Sequence, residues 1–99
     1  MTLDADGYPD DVSLAAMRAY DLVTEPLDGL LALIRDNWWK PDWGYRRTQR
    51  RLYLHTGGWS GNEDVIEALR ENFLFWSLCW LRSDRGGHFT FQVRKSVVR

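Results

Sequence analysis

His55-Thr56-Gly57-Gly58-Trp59-Ser60-Gly61-Asn62-Glu63 joins a strand-like run to a helix-like one, and the fold turns on how it is read. Glycines at 57, 58 and 61 permit backbone conformations with positive φ, and Ser60 followed three residues later by Glu63 has the spacing of a capping box. The stretch therefore predicts a strand, a tight turn and a helix start.

Upstream, residues 45–55 predict a strand. Arg46, Arg47, Arg50 and Arg51 make its first half too polar to be buried on both faces, so it belongs at a sheet edge or in a hairpin-like approach to one. Leu52 and Leu54 alternate with Tyr53 and His55, the two-residue period of a half-buried strand. Downstream, Val65, Ile66, Leu69 and Phe73 mark the apolar face of a helix from about Gly61 to Asn72, with Glu63, Asp64, Glu67 and Arg70 on its wet side.

Phe73–Arg82 fits either a continued helix or a strand. Its aromatic density, and the turn composition of Asp84-Arg85-Gly86-Gly87, favour a strand from about Leu74 and a hairpin. His88–Val98 alternates, with Phe89, Phe91, Val93 and Val97 on one side and His88, Thr90, Gln92 and Arg94 on the other. A loop centred between Arg85 and Gly86 sets Trp80 opposite Phe91 and Leu78 opposite Val93. Trp76, Leu78, Trp80, Phe89, Phe91 and Val93 then share a core face. Phe75, Ser77, Cys79, Leu81, Thr90, Gln92 and Arg94 share a mixed face open to a ligand.

Toward the N-terminus, Val12, Leu14, Ala15, Ala16, Met17, Ala19 and Tyr20 predict a short helix from Asp10 or Asp11, its acids at the positive end of the dipole. Thr24-Glu25-Pro26 supplies a cap and a first-turn proline for a second helix carrying Leu27, Leu30, Leu31, Ile34 and Trp38, ending near Trp38. Pro41 stops it, and Asp42-Trp43-Gly44 has turn composition. Trp38, Trp39, Trp43 and Tyr45 crowd this bend, where a packed corner is favoured over an aromatic cage. Residues 1–9 read as a flexible lead-in and residues 10–99 as one domain. The expectation is an α+β fold: N-terminal helices followed by β-α-β-β, with a small three-stranded mixed sheet. A right-handed crossover makes its first pair parallel, and the middle strand is central.

The chain has 99 residues, enough for one core, and 14% of them are aromatic, six being Trp, so some rings are expected at the surface. No apolar run approaches the ~20 residues of a membrane span, and Cys79 has no partner for an intramolecular disulfide. A cytoplasmic protein with no membrane association is the default. Net charge is −1, but residues 1–45 hold nine acids against three bases, and residues 46–99 five acids against ten bases. The halves pack electrostatically, or the basic half meets a phosphate-rich partner.

Two ligand surfaces stand out. The glycine turn presents backbone N–H groups beside a helix N-terminus, which suits phosphate or carboxylate. Its spacing matches neither a Walker loop nor a dinucleotide fingerprint, and Glu63 and Asp64 oppose an anion. A structural turn with Trp59 packed down is the plainer alternative. The second surface is the loop Arg82–His88, where arginines could grip an anion bidentately, set against a solvated hairpin tip with Asp84 pairing internally. Parallel pairing would bring both to one sheet edge. The candidate ligand-binding residues are thus Thr56, Trp59, Ser60, Asn62, Arg82, Arg85 and His88. No catalytic residue, cofactor or metal-ligand set is expected: Ser60 and Glu63 have capping roles, and His55, His88 and Cys79 show no ligand spacing.

The motifs HTGGWSGNEDVIEAL, FWSLCW and SDRGGHF, with WWKPDWGYR, resemble those of a family of small phage and prophage proteins over Leu30–Val93. The resemblance carries no activity over residue by residue. It implies a non-enzymatic accessory protein in the host cytoplasm that binds a host protein or complex, such as a component of a defence system. A nucleotide or nucleic-acid binder using residues 56–62 and Arg85–His88 is the alternative. A small hydrolase or transferase is the third class, and self-association is left open.

Overall fold

In the computed structural model, residues 7–93 are described, and within them the chain runs α1 (Asp11–Ala19), α2 (Leu27–Asp36), α3 (Pro41–Gly44), β1 (Tyr45–Arg47), β2 (Arg51–His55), α4 (Ser60–Glu71), α5 (Phe73–Cys79), β3 (Trp80–Asp84) and β4 (His88–Gln92). The α+β class is as expected. The sheet is not: it has four strands in the order β1-β2-β4-β3, and every neighbouring pair is antiparallel.

Two local features account for that difference. Residues 45–55 form a hairpin of two strands, the second of the two alternatives for this segment, and not one edge strand. Its turn uses no glycine or proline: the Thr48 N–H donates to the Arg51 carbonyl (2.9 Å) and the Arg51 N–H donates to Thr48 Oγ1 (3.1 Å). A hydroxyl that satisfies a nearby N–H lets the chain reverse at an ordinary sequence. The second feature is Asn72. It closes α4 through its own N–H and caps α5 by accepting from the Phe75 N–H (3.1 Å). Phe73–Cys79 is therefore helical. Phe75 and Cys79, four residues apart, are buried while Phe73, Ser77 and Leu78 are exposed, a helical period that overrides the strand preference of aromatic residues.

Because α5 uses these residues, the chain returns to the sheet at Trp80 on its outer edge, and β4 occupies the interior beside β2. The expected central position of the middle strand is thus overturned. Trp80 pairs with Phe91 as the hairpin reading required, but a bulge before Arg82 shifts the rest by one, to Arg82↔Thr90, Ser83↔Phe89 and Asp84↔His88. Leu78 lies in α5 and does not face Val93. Its side chain is 69% exposed. Of the mixed face, Phe75 and Cys79 are buried in the core instead. β4 ends at Gln92, and Arg94 to Val98 lie outside the described residues.

The core forms where one sheet face, with Leu52, Leu54 and Phe91, meets Leu30, Leu31 and Ile34 of α2, Val65, Ile66 and Leu69 of α4, and Phe75. Burying each large aliphatic side chain contributes about 1.5–3 kcal/mol, which drives the helices onto this face. α1 starts where expected, with Asp10 accepting from the Ser13 N–H (2.7 Å). It is held at the other end by Asn72, whose amide donates to the Met17 and Tyr20 carbonyls (2.8 and 3.0 Å).

Other expected caps are absent. α2 starts at Leu27 with Pro26 at the cap position and no side-chain cap bond, and it ends at Asp36. Trp38 lies beyond the helix but is buried. Asp42-Trp43-Gly44 forms a helical turn with Pro41 rather than an open one. At α4, Trp59 takes the cap position with no side-chain cap bond, so Ser60 and Glu63 form no capping box. Gly57 and Gly58, both with positive φ, make a reverse turn closed by the Trp59 N–H on the Thr56 carbonyl (3.1 Å), and this turn delivers the chain into the helix without a hydroxyl cap. The lead-in also differs from expectation over residues 7–9. Gly7 and Pro9 are buried, and the Trp59 indole N–H donates to the Gly7 carbonyl (3.1 Å).

Asn72→Ala removes one helix cap and the donor to two carbonyls at the end of α1. The expected loss is about 2–4 kcal/mol of unfolding free energy, measured by urea denaturation.

Candidate functional site

The antiparallel pairing of β2 with β4 sets His55 opposite His88, the last pair of the ladder. The glycine turn leaving β2 and the hairpin tip entering β4 consequently meet at one sheet edge, where the Thr56 N–H donates to the Gly87 carbonyl (3.0 Å). Both loops use positive-φ glycines, at 57 and 58 and at 86 and 87. Gly87 is also tight: a Cβ there would collide with Thr56 Oγ1. The two loops converge, as the sequence suggested, but through an antiparallel ladder rather than a parallel crossover.

The seven candidate residues separate into three groups. Thr56 and Asn62 are buried and bonded internally. Asn62 Oδ1 accepts from the Trp39 N–H (2.8 Å), and its amide donates to the carbonyls of Trp39 (3.3 Å) and Thr56 (3.4 Å). Thr56 Oγ1 accepts from the Gly58 N–H (3.4 Å). These two fix the glycine turn to the bend after α2. Trp59 and Ser60 belong to another cluster: Trp59 stacks on Trp39 with ring centroids 4.5 Å apart and lies 4.9 Å from the Tyr8 ring, while Ser60 Oγ meets the Tyr8 hydroxyl at 3.1 Å. Ser60 thus pairs with Tyr8, and His88 pairs with His55. Arg82, Arg85 and His88 form the third group on the β3–β4 hairpin. Arg82 donates from Nε (3.2 Å) and from its terminal nitrogen (2.7 Å) to one oxygen of Asp84, the internal pairing considered for this loop. Arg85 is exposed at the tip.

The sheet face turned away from the core carries the site. Alternation puts Tyr53 and His55 of β2, His88 and Thr90 of β4 and Arg46 of β1 on it, and the pairs Arg46↔Tyr53↔Thr90 and His55↔His88↔Asp84 lie as adjacent rows. Together with Trp43 these residues line a cleft of about 430 Å³. Trp43 escapes the packed corner: Trp38 is buried, Trp39 stacks on Trp59 and the Tyr45 hydroxyl donates to the Leu31 carbonyl (3.3 Å), but Trp43 is 63% exposed and touches His55 edge-on, with centroids 4.6 Å apart. Arg46 stands over the Tyr53 ring at 5.4 Å, a cation–π contact. His55 and His88 bring their Nδ1 atoms to 2.9 Å.

Trp43, Arg46, Tyr53 and His55 were not among the sequence candidates, and Thr90 was placed only on the mixed face open to a ligand. The signal was present in the alternation of both strands. It needed the hairpin at Thr48 and the β2–β4 pairing to bring the two alternating sets onto one face. The hairpin also divides the basic segment: Arg47 reaches back to Asp28 of α2 (3.6 Å), whereas Arg46 stays on the outer face. Among the described residues the two halves are thus joined by the Arg47–Asp28 pair and by Arg18 on Glu71 (2.6 Å), and Arg46 takes part in neither.

Partial burial, followed by the charge of His88, holds the His55 imidazole below its ordinary pKa. Burial pushes the Cys79 thiol up to about 11, which leaves it a poor nucleophile. Among the described residues no group of three or more His, Cys, Asp or Glu side chains is placed to hold a metal ion, and no helix is long and apolar enough to cross a membrane. No family model, curated protein or solved structure matches the chain.

Since folding lowers the His55 pKa, the unfolded chain binds the extra proton more readily. Stability is retained above the ordinary imidazole pKa of about 6.5 and falls as pH drops through it. Urea midpoints measured across this range should fall on acidification, and His55→Gln should flatten that part of the profile.

Proposed function

We propose that the protein is a non-enzymatic binding module whose outer sheet face takes a nucleotide or a single strand of nucleic acid. The observation that carries this reading is the Tyr53 ring, partly exposed in mid-sheet under the Arg46 guanidinium, in the same cleft as Trp43 and two imidazoles. An open sheet with aromatic side chains offers stacking surfaces to bases, and flanking arginines attract the phosphates. Arg50 and Arg85 are exposed, and Arg51 joins Tyr53 on the outward side of β2. The glycine turn then serves as scaffold, with Thr56 and Asn62 positioning β2 and α3 and neither touching the ligand. A role for the protein as a phage accessory factor, implied by the sequence resemblance, is compatible with such a module acting on host or phage nucleic acid or on a nucleotide.

A second reading, docking on a host protein, is favoured by a different surface. Phe73 and Leu78 of α5 are 77% and 69% exposed, and Trp80 and Leu81 follow them on edge strand β3. Exposed large apolar side chains suit a protein interface.

Fluorescence anisotropy with labelled single-stranded DNA and RNA, and competition by mononucleotides, separates the two. Binding is expected to weaken with salt at a slope of about 0.7 per phosphate contact. Tyr53→Ala should cost about 1–3 kcal/mol of binding free energy, and Arg46→Ala should lower both affinity and salt slope. Trp59→Phe, outside the cleft, should leave affinity unchanged. Absence of binding by the wild-type protein to every oligonucleotide and nucleotide would sink the first reading and leave the protein-docking surface.

A further inference from the structure

We propose that the hydrogen bond between His55 and His88 is a proton-operated clasp joining the glycine turn to the tip of the β3–β4 hairpin: it holds with one proton between the rings and releases when acid supplies a second. The device belongs to the free chain and needs no ligand.

In an antiparallel ladder, pairs that exchange backbone hydrogen bonds alternate with pairs that do not, and side chains stand closest at the second kind. The Val93 N–H donates to the Arg50 carbonyl and the Thr56 N–H to the Gly87 carbonyl (both 3.0 Å), so the even-numbered residues from Arg50 to Thr56 take the backbone bonds. His55 and His88 therefore face each other at a rung without one. Their link is the side-chain contact, Nδ1 to Nδ1 at 2.9 Å. Beyond it lie the Thr56–Gly87 bond and then the two glycine loops.

A hydrogen bond between two Nδ1 atoms requires one proton between them: one ring donates, and the other accepts with its lone pair and carries its own proton on Nε2. The Nε2 of the donor ring takes a proton from solvent with the bond intact and, once the ring is charged, the bond is stronger. The next proton has no such place. It must enter at the accepting Nδ1, on the lone pair that forms the bond, and it leaves two N–H groups and two positive charges facing each other. The bond and the second proton exclude one another, so the rings titrate as a coupled pair in two steps. His55 is held below its ordinary pKa, first by partial burial and then by the charge of His88, which marks it as the acceptor.

The charges around the pair resist the second proton. Asp84, opposite His88 on β3, would invite it, but Arg82 holds one of its oxygens from two nitrogens. Arg46 of β1, over the Tyr53 ring of β2, is a cation on the cleft wall one row away, and Arg85 is exposed at the hairpin tip. α3 brings the edge of Trp43 to His55, while its Asp42 reaches Arg35 (3.9 Å) and the preceding Lys40 lies over the Trp39 ring (4.7 Å). Thr56 to Trp59 carry no titratable side chain. Release puts two imidazolium groups into the cleft and frees the glycine loops to part.

The test is nitrogen-resolved proton NMR of the whole chain, titrated from about pH 8 to about pH 5 so as to span the imidazole range. At the alkaline end the imidazoles should report one Nδ1–H ring and one Nε2–H ring. Proton uptake should come in two steps, the second below the ordinary imidazole pKa of about 6.5. Protection of the Thr56 amide against exchange, relative to an unstructured chain at the same pH, should fall about tenfold across that second step, the scale of one lost hydrogen bond. In His88→Phe, which keeps a ring but no nitrogen, His55 should titrate in one step and Thr56 protection should no longer follow pH. Two Nε2–H rings at the alkaline end, titration of both rings in single steps at one midpoint, or Thr56 protection unchanged through the second step would each overturn the proposal. The tautomers and the two steps are read on the unmutated chain, so they decide the matter even if the variant fails to fold.

Discussion

The ladder between β2 and β4 is the constraint on which the rest depends. Five consecutive pairs, Arg51↔Gln92 through His55↔His88, fix the register of two strands separated by two helices and a hairpin. A slip of one residue would invert one strand against the other, turning either Leu52 and Leu54 or Phe89 and Phe91 out of the core. The apolar core and the polar cleft are thus two sides of the same registration. What stabilises the fold also assembles the site.

Two buried asparagines hold the helices to this sheet. Asn62 ties the bend at Trp39 to the glycine turn, and Asn72 ties the end of α1 to the junction of α4 and α5. Asn62 meets the N–H and carbonyl of Trp39, and Asn72 the Tyr20 carbonyl and the Phe75 N–H, and leaving a buried backbone group unpaired costs about 1–3 kcal/mol. Asparagine suits both places because one side chain supplies an acceptor and two donors. The same choice explains why the expected hydroxyl cap at Ser60 is dispensable: the turn before α4 is held from inside by Asn62 and Thr56.

Much of the fold was legible in local sequence. The first helix, the glycine turn, the helix after it, the β3–β4 hairpin and the Trp80–Phe91 pair all follow from periodicity and turn chemistry. Two signals were misread. A reversal built on Thr48 carries no glycine or proline, and the aromatic run after Asn72 has strand composition but a helical burial period that becomes visible only with its partners in place. Those two errors converted a four-stranded antiparallel sheet into a three-stranded mixed one. The convergence of the two glycine-containing loops survived the change, because an antiparallel neighbour also brings the end of one strand to the start of the other. Of the candidate residues, only His88 lines the cleft. Asn62 and Trp59 were singled out as polar or aromatic near glycine, and their packing role depends on Trp39, Gly7 and Tyr8, contacts that no local pattern encodes.

The irregularity between Trp80 and Arg82 bears on how the outer edge behaves toward other chains. β3 is an edge strand whose side chains are exposed along its whole length, the arrangement that invites an extended segment to continue the sheet. The extra residue at Leu81 breaks the spacing of the free backbone groups and increases the local twist. A straight strand approaching from solvent finds no continuous row of donors and acceptors to match. Trp80 and Leu81 thereby stay exposed on this edge while runaway stacking of sheets is discouraged.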